Sequence, residues 1–528
     1  MLLRYLKKIF YNSVTELREQ SKQIANNFIQ NIVFIDDKAY QSDSTNNSFD
    51  TLGVSKIFAE AGKICAVYAP ESVSDITFYD TILKKADAVI LDWRLDIRCN
   101  NDDVTDSEAD AECDEPRGEF TLELISNLIS QTDMLKLIII YTGETNLFDI
   151  TDSIYQKIKN YGTFEKMDCT IQSANVRILI RAKSQNSENQ FAHVPELKDK
   201  IVEVQQLPAI IIDEFTDMTN GLLSNFALVS ISAIRNNTSR ILSVFSPKLD
   251  PAYLSHKVLL ENTSESKQLL IKLFGEAISD LLEATNIDTK DWVNNWIDHR
   301  IEEEKINMNG VIVERSKELL KKMINSEQSR LKNKYLEASG KELSNKEEEK
   351  IQTHIIKLFA YSGIDIEKSN IDFAILTHHK NIFQPAIEPP ILTLGTIIKF
   401  SKDEKDKYYI CIQQRCDSVR IKEERRFLFL PLEEKGEYPL IVNSALKLFP
   451  NKSSFALKTI KFKPQNGSAI IQASIIDGKY IFKSSYGETY EWVVDLKEMQ
   501  AQRILNSYCA QLSRVGLNES EWLRLMAK

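Results

Sequence analysis

The 528-residue chain has only seven cysteines, an odd number without paired spacing. That argues against a disulfide framework and for a reducing, cytoplasmic setting. No apolar run approaches the roughly 18 residues of a membrane span. The opening residues, MLLRYLKKIFYNSV, are interrupted by Arg4, Lys7 and Lys8 and lack the apolar core and cleavage site of a secretory signal. There is no Gly-rich phosphate loop, no nucleophile elbow and no zinc-protease helix, so no attached enzyme is expected. What is present is an ordinary globular composition, 43% hydrophobic and 27% charged. The length suggests about three domains.

The chain is organised around Asp87 to Asp96, DAVILDWRLD. Ala88, Val89, Ile90 and Leu91 read as a parallel strand buried on both faces, and Asp92 follows at its end. In doubly wound α/β folds ligands sit at the carboxyl ends of strands. Three further apolar runs end in residues that suit Asp92. NIVFIDD ends in Asp36 and Asp37, LIIIYTG brings Thr142, and VRILIRAKS brings Lys183. Adjacent carboxylates repel in a low dielectric unless a cation neutralises them, and oxygen-only acidic clusters suit Mg²⁺. A lysine is a point charge able to meet a phosphoryl oxygen.

Two acids, one acid, a hydroxyl and a lysine, each at a strand end and in this order, resemble the receiver domain of two-component response regulators. The resemblance implies a flavodoxin-like parallel sheet, with Asp92 as phosphoacceptor and Asp36, Asp37 and Asp92 as Mg²⁺ ligands. It implies Thr142 as the switch hydroxyl, Lys183 as the cation on the phosphoryl group, and a histidine kinase as phosphodonor. The chain departs from the pattern in three places. Ser184 stands where the family usually has proline. Asp96 to Arg117 carries nine acids against two arginines, which reads as a solvated acidic insertion. Asn146 to Ser173 is longer than a compact receiver needs.

The chain in order gives an amphipathic helix within 1–30, a receiver over 31–205, a helical domain over 206–385 and a β-rich domain over 386–528. Leu3, Leu6, Ile9, Phe10, Val14 and Leu17 repeat at helical spacing, which suits a helix packed on the receiver more than one on a membrane. In the helical region, Asn225 to Phe245 reads as one long helix, Lys267 to Ala284 as an amphipathic helix, and Val311 to Ala338 as a solvated or coiled-coil-like helix. From 391 the period becomes two, and seven short strands suggest a small barrel or sandwich closed by helices at 497–515 and 520–526. His378 and His379 are adjacent, without a third ligand at a suitable spacing. Cys411 and Cys416 lack the second pair that a structural zinc site needs.

Residues 391–528 carry 22 Lys and Arg against 16 Asp and Glu, a balance of +6 in a chain at −10. A basic module suits nucleic acid or an acidic partner surface, but no aromatic RNA motif accompanies it, so nucleic acid is not the expected partner. An elaborated receiver without a standard output is also similar to the receiver proteins of Detocs-type bacterial defence operons. That similarity implies a phosphate buffer in antiviral defence. Two alternatives stay open: a phosphorylation-controlled DNA-binding regulator, and a receiver-like scaffold that accepts no phosphate. Self-association is also open.

Overall fold

The computed structural model describes residues 16–40, 49–95, 97, 118–130, 134–184, 195–260, 263–285, 287, 289–380, 389–403, 405–436, 439–451, 453, 456–465, 467–512 and 526. They group into two compact units, residues 1–243 with 277–300 and residues 244–276 with 301–528. The acidic insertion, apart from Ile97, the first half of the N-terminal helix and most of the expected last helix lie outside the described residues.

In the first unit a parallel sheet runs in the order β2-β1-β3-β4-β7, from Asn31–Ile35 (β1), Ile64–Tyr68 (β2), Ala88–Leu91 (β3), Lys136–Thr142 (β4) and Val176–Lys183 (β7). Every residue of β3 and β4 is buried, so their unbroken apolar runs are those of strands covered on both faces. Alternate residues point to opposite layers. Val33, Ile35, Val89, Leu91, Ile138 and Ile140 form a core with helices Val73–Lys85 (α3), Glu119–Ile129 (α4) and Leu147–Ile158 (α5). Ile32, Phe34, Ala88, Ile90, Leu137 and Ile139 face the helix at 16–28 (α1), Thr51–Glu60 (α2), Leu207–Thr219 (α6) and Leu222–Asn236 (α7).

The described part of the N-terminal helix packs on the sheet: Leu17 and Ala25 are buried and Phe28 stacks on Phe215 of α6 at 5.5 Å. The first unit therefore extends past residue 205, because α6 and α7 cover an apolar sheet face that would otherwise meet water. The expected enlargement at Asn146–Ser173 resolves into α5 and a hairpin of Glu165–Met167 (β5) and Thr170–Gln172 (β6). This hairpin extends the sheet antiparallel to β7. A two-residue strand, Ile201–Val202 (β8), pairs parallel with the end of β7.

Asp87 ties α7 to the amino-terminal end of the sheet. Its carboxylate accepts the Gln30 and Asn31 amides at 2.9 and 3.0 Å and the Arg235 guanidinium at 2.8 Å. Asp87→Ala leaves those donors unmatched in a buried place and is expected to destabilise by roughly 2–3 kcal/mol in urea denaturation. A loss under half a kcal/mol would show that water replaces the carboxylate at no cost.

In the second unit the helix expected over 311–338 is replaced. Val311–Arg315 (β10) pairs with Glu304–Met308 (β9) through Asn309 and Gly310, both at positive φ, and two helices follow at Lys317–Asn325 and Leu331–Ser339. The β-branched run Val311-Ile312-Val313 and the Asn-Gly turn decide for a hairpin. The long helix expected at 225–245 is likewise two, broken at Asn237, where Asn caps the end of α7.

The C-terminal strands are Thr396–Lys402 (β11), Lys405–Cys411 (β12), Arg425–Glu433 (β13), Leu440–Ile441 (β14), Lys447–Pro450 (β15), Lys458–Phe462 (β16), Ser474–Ile476 (β17), Lys479–Lys483 (β18) and Thr489–Asp495 (β19). They form an antiparallel sheet in the order β14-β15-β13-β12-β11-β19-β18-β17. β16 pairs with β13, and its Phe462 bridges to Ser484 just beyond β18, so the sheet curls towards a small barrel. Phe427, Phe429, Phe462, Phe482 and Tyr490 fill the inside, while the helix Glu498–Leu512 closes the outer core through Ala501, Ile504 and Tyr508. The strand expected at 468–475 is reduced to β17, and β14 and β15 are too short to show as a period. Among the described residues no helix is long and apolar enough to cross a membrane.

Candidate functional site

Parallel register brings four strand ends to one level. Ile35 pairs with Leu91, Leu91 with Ile140, and Thr142 with Ala182, so Asp36, Asp92, Thr142 and Lys183 emerge side by side at the carboxyl edge. The ladder holds the backbone up to the site: Asp92 N donates to Ile35 O at 2.9 Å and Asp36 N to Tyr68 O at 3.1 Å.

Lys183 Nζ donates to Asp36 Oδ2 at 2.7 Å and to Asp92 Oδ2 at 2.5 Å. Asp36, Asp37 and Asp92 are all buried, and their carboxylate oxygens lie within 4.8 Å of one another. Three carboxylates against one ammonium leave two formal negative charges in a desolvated place, and every available donor is oxygen. That donor set fits a small hard divalent cation such as Mg²⁺. Thr142 is buried, and its Oγ1 accepts the Glu144 amide at 3.1 Å.

Burial raises the Asp92 carboxyl above its ordinary value of 3.8, and the nearby Asp36 charge adds to this, while Lys183 opposes it. For Lys183, burial pulls downward, but Asp92 and Asp36 outweigh it and hold the ammonium above the usual lysine value. The folded state thus binds the Asp92 proton more tightly than the unfolded chain. That contribution is fully present below the ordinary Asp value and is lost as pH rises through the raised one. Ionised Asp92 therefore destabilises the metal-free fold at neutral pH. Asp92→Asn is expected to melt higher than wild type there in chelator, with the gap closing as pH falls into the carboxylate range. A gap that widens on acidification would reverse this assignment.

Several positioning groups were not visible in the sequence pattern. Trp93 N donates to Asp92 Oδ1 at 2.7 Å, and Thr121 Oγ1 of α4 donates to Asp92 O at 2.8 Å. Gly118, which opens α4, has φ +84° and lies against the Trp93 indole, so an added Cβ would fall 2.3 Å from the ring. Gly118→Ala combines backbone strain with overpacking and is expected to lose about 2–4 kcal/mol of stability by denaturant titration. A neutral result would mean that Trp93 moves freely. Only the adjacency of Trp93 to Asp92 hinted at this arrangement. On the other flank, a cleft of about 380 Å³ runs from Lys183 and Tyr141 to Phe49 and Asp50 at the start of α2.

The other candidates do not gather into a centre. His379 is buried and hydrogen-bonded through Nε2 to Ile441 O at 2.7 Å, and burial lowers the His378 pKa. Cys411 lies inside the barrel core, and burial pushes its thiol up to about 12, whereas Cys416 is exposed. Among the described residues the acidic trio is the sole group of three or more His, Cys, Asp or Glu arranged to hold a metal.

The strand order and the charges at its edge define a phosphoacceptor-type α/β domain of the doubly wound class. Comparison with known families specifies it. The response receiver domain matches residues 28–188, and this part of the chain is a receiver domain, as Asp36, Asp37, Asp92, Thr142 and Lys183 suggest. No curated protein matches the chain.

Proposed function

We propose that the chain is a phosphoacceptor of a two-component phosphorelay, taking a phosphoryl group on Asp92 from a histidine kinase. The carrying observation is the buried Asp36–Asp37–Asp92 trio at the sheet edge, with Lys183 bridging Asp36 and Asp92 and Thr142 at the same level. An Asp92 carboxylate oxygen attacks the phosphorus of a phosphohistidine. The P–O bond forms as the P–N bond breaks, and the imidazole nitrogen leaves with the electron pair. Asp36, Asp37 and Asp92 would hold Mg²⁺, which neutralises charge on the transferring group when bound. Once Asp92 is an acyl phosphate its carboxyl no longer carries the charge that Lys183 meets, so the ammonium turns to a phosphoryl oxygen. Thr142 then swings to the remaining oxygens, biasing the loops after β4 and β7.

The protein works in the cytoplasm, carries no enzymatic effector and serves as a phosphate buffer in bacterial antiviral defence. Support for the buffer comes from the architecture: an elaborated receiver followed by helices and a curled sheet, resembling the Detocs-type receiver proteins. The test is transfer from a phosphorylated histidine kinase. Expected is stoichiometric loss of phosphate from the kinase to wild type and none to Asp92→Ala. Absence of transfer to wild type would leave the scaffold reading in its place. In uninfected cells, a buffer lacking Asp92 should let phosphate reach the effector without a phage signal, so that growth falls. Unchanged growth would remove the buffering role while leaving the phosphoacceptor chemistry.

A further inference from the structure

Among the described residues five non-glycines have their backbone in the left-handed region. Four are Asp168, Asn309, Asp403 and Asp477, whose short polar side chains tolerate it. The fifth is Tyr40, at φ +66°. A bulky side chain is strained there, and such strain persists only where the surroundings hold it. Burial of the ring does not hold it, because Tyr40 is 70% exposed. Two hydrogen bonds do. Tyr40 N donates to Thr51 Oγ1 at the start of α2 at 3.1 Å, and the Tyr40 hydroxyl donates to Val67 O of β2 at 3.1 Å. Val67 O is within reach because β2 is the last strand at its end of the sheet. Ile64 N donates to Gln30 O and Tyr68 O accepts Asp36 N, so residues 64 and 68 turn these groups towards β1. By alternation Val67 O faces the open edge.

The turn that carries the acidic pair lies between the sheet and this anchor. Asp36 N is bonded into the ladder, whereas Asp37 lies two residues past Ile35, the last paired residue of β1. Lys38 N donates to Asp36 Oδ1 at 3.0 Å and Ala39 N to Asp36 O at 3.1 Å, closing a turn around Asp37. Tyr40 follows directly. We propose that Tyr40 is a positioning residue of the metal site: its bonds to β2 and α2 hold the far end of the turn and aim Asp37 at Asp36 and Asp92. Ligands set in place beforehand bind a cation more tightly than ligands that must first be ordered. The proposal rests on the reading of the acidic trio as an Mg²⁺ site.

The test is calorimetric titration of the full chain with Mg²⁺ alone, without phosphodonor, beside melting in chelator. Tyr40→Phe removes only the hydroxyl and is expected to weaken Mg²⁺ binding about three- to tenfold. Tyr40→Gly removes the anchor on β2 and relieves the backbone. It should melt close to wild type in chelator while binding Mg²⁺ at least about tenfold more weakly. Weaker binding without a lower melting point separates the aiming of Asp37 from support of the fold. Variants that bind Mg²⁺ as tightly as wild type, whatever their melting, overturn the role of Tyr40 and leave the metal site standing. A wild type without affinity for Mg²⁺ overturns the metal reading, and the role of Tyr40 falls with it.

Discussion

Asp92→Asn is expected to take up no phosphoryl group from acetyl phosphate and Mg²⁺, whereas wild type should gain one per chain by intact mass. This is the largest effect expected of any single substitution. Asn keeps the Trp93 hydrogen bond and the shape of the strand end but removes the nucleophile. Chelation of Mg²⁺ should abolish uptake by wild type as well, because the trio then keeps two uncompensated charges that repel an incoming phosphoryl group. Melting above that of wild type in chelator together with lost uptake in Asp92→Asn would separate chemistry from folding. Persistent uptake in Asp92→Asn would place the modification on another residue. If wild type accepts nothing from acetyl phosphate, the phosphorylated kinase becomes the deciding donor.

Lys183→Met comes second. Lys183 holds two buried carboxylates, and removing one partner of such a pair leaves the other charges without compensation. The expected loss is about 3–5 kcal/mol in chelator, read by urea denaturation. Mg²⁺ should restore part of it, because a cation bound by Asp36, Asp37 and Asp92 replaces the missing ammonium charge. Phosphoryl uptake should fall at least a hundredfold even when the fold is saturated with Mg²⁺, since an oriented cation on the transferring group is lost. A variant as stable as wild type in chelator would show that the carboxylates share protons rather than rely on Lys183. A variant with normal uptake would remove Lys183 from the chemistry.

The parts of the site differ in how plainly the sequence shows them. Asp36, Asp37 and Asp92 end apolar runs, and such runs have one physical reading, the buried parallel strand, so their shared edge follows from pattern and order. Lys183 lacks the following proline of its family, yet the register of β7 against β4 brings it to Asp36 and Asp92 all the same. Thr121 and Gly118 lie beyond an acidic stretch whose length says nothing about where the chain returns. Only packing of α4 against Trp93 reveals that they brace Asp92. The reading of Val311–Ala338 as helix failed because Lys and Glu dominate its composition, while three β-branched residues and an Asn-Gly turn decide its start.

By itself, then, the sequence determined the βα alternation, the trio of acids and the order of their partners, because burial on both faces requires continuous apolar strands and parallel connection requires intervening helices. It also determined the change to period two in the last third. Tertiary structure alone decided that α1, α6 and α7 cover one receiver face, and that Lys183 spans Asp36 and Asp92. It alone showed that β16 bends the C-terminal sheet towards closure. These depend on contacts between residues far apart in the chain. Local propensity carries no record of such contacts, and they form only when apolar faces from distant segments leave water together.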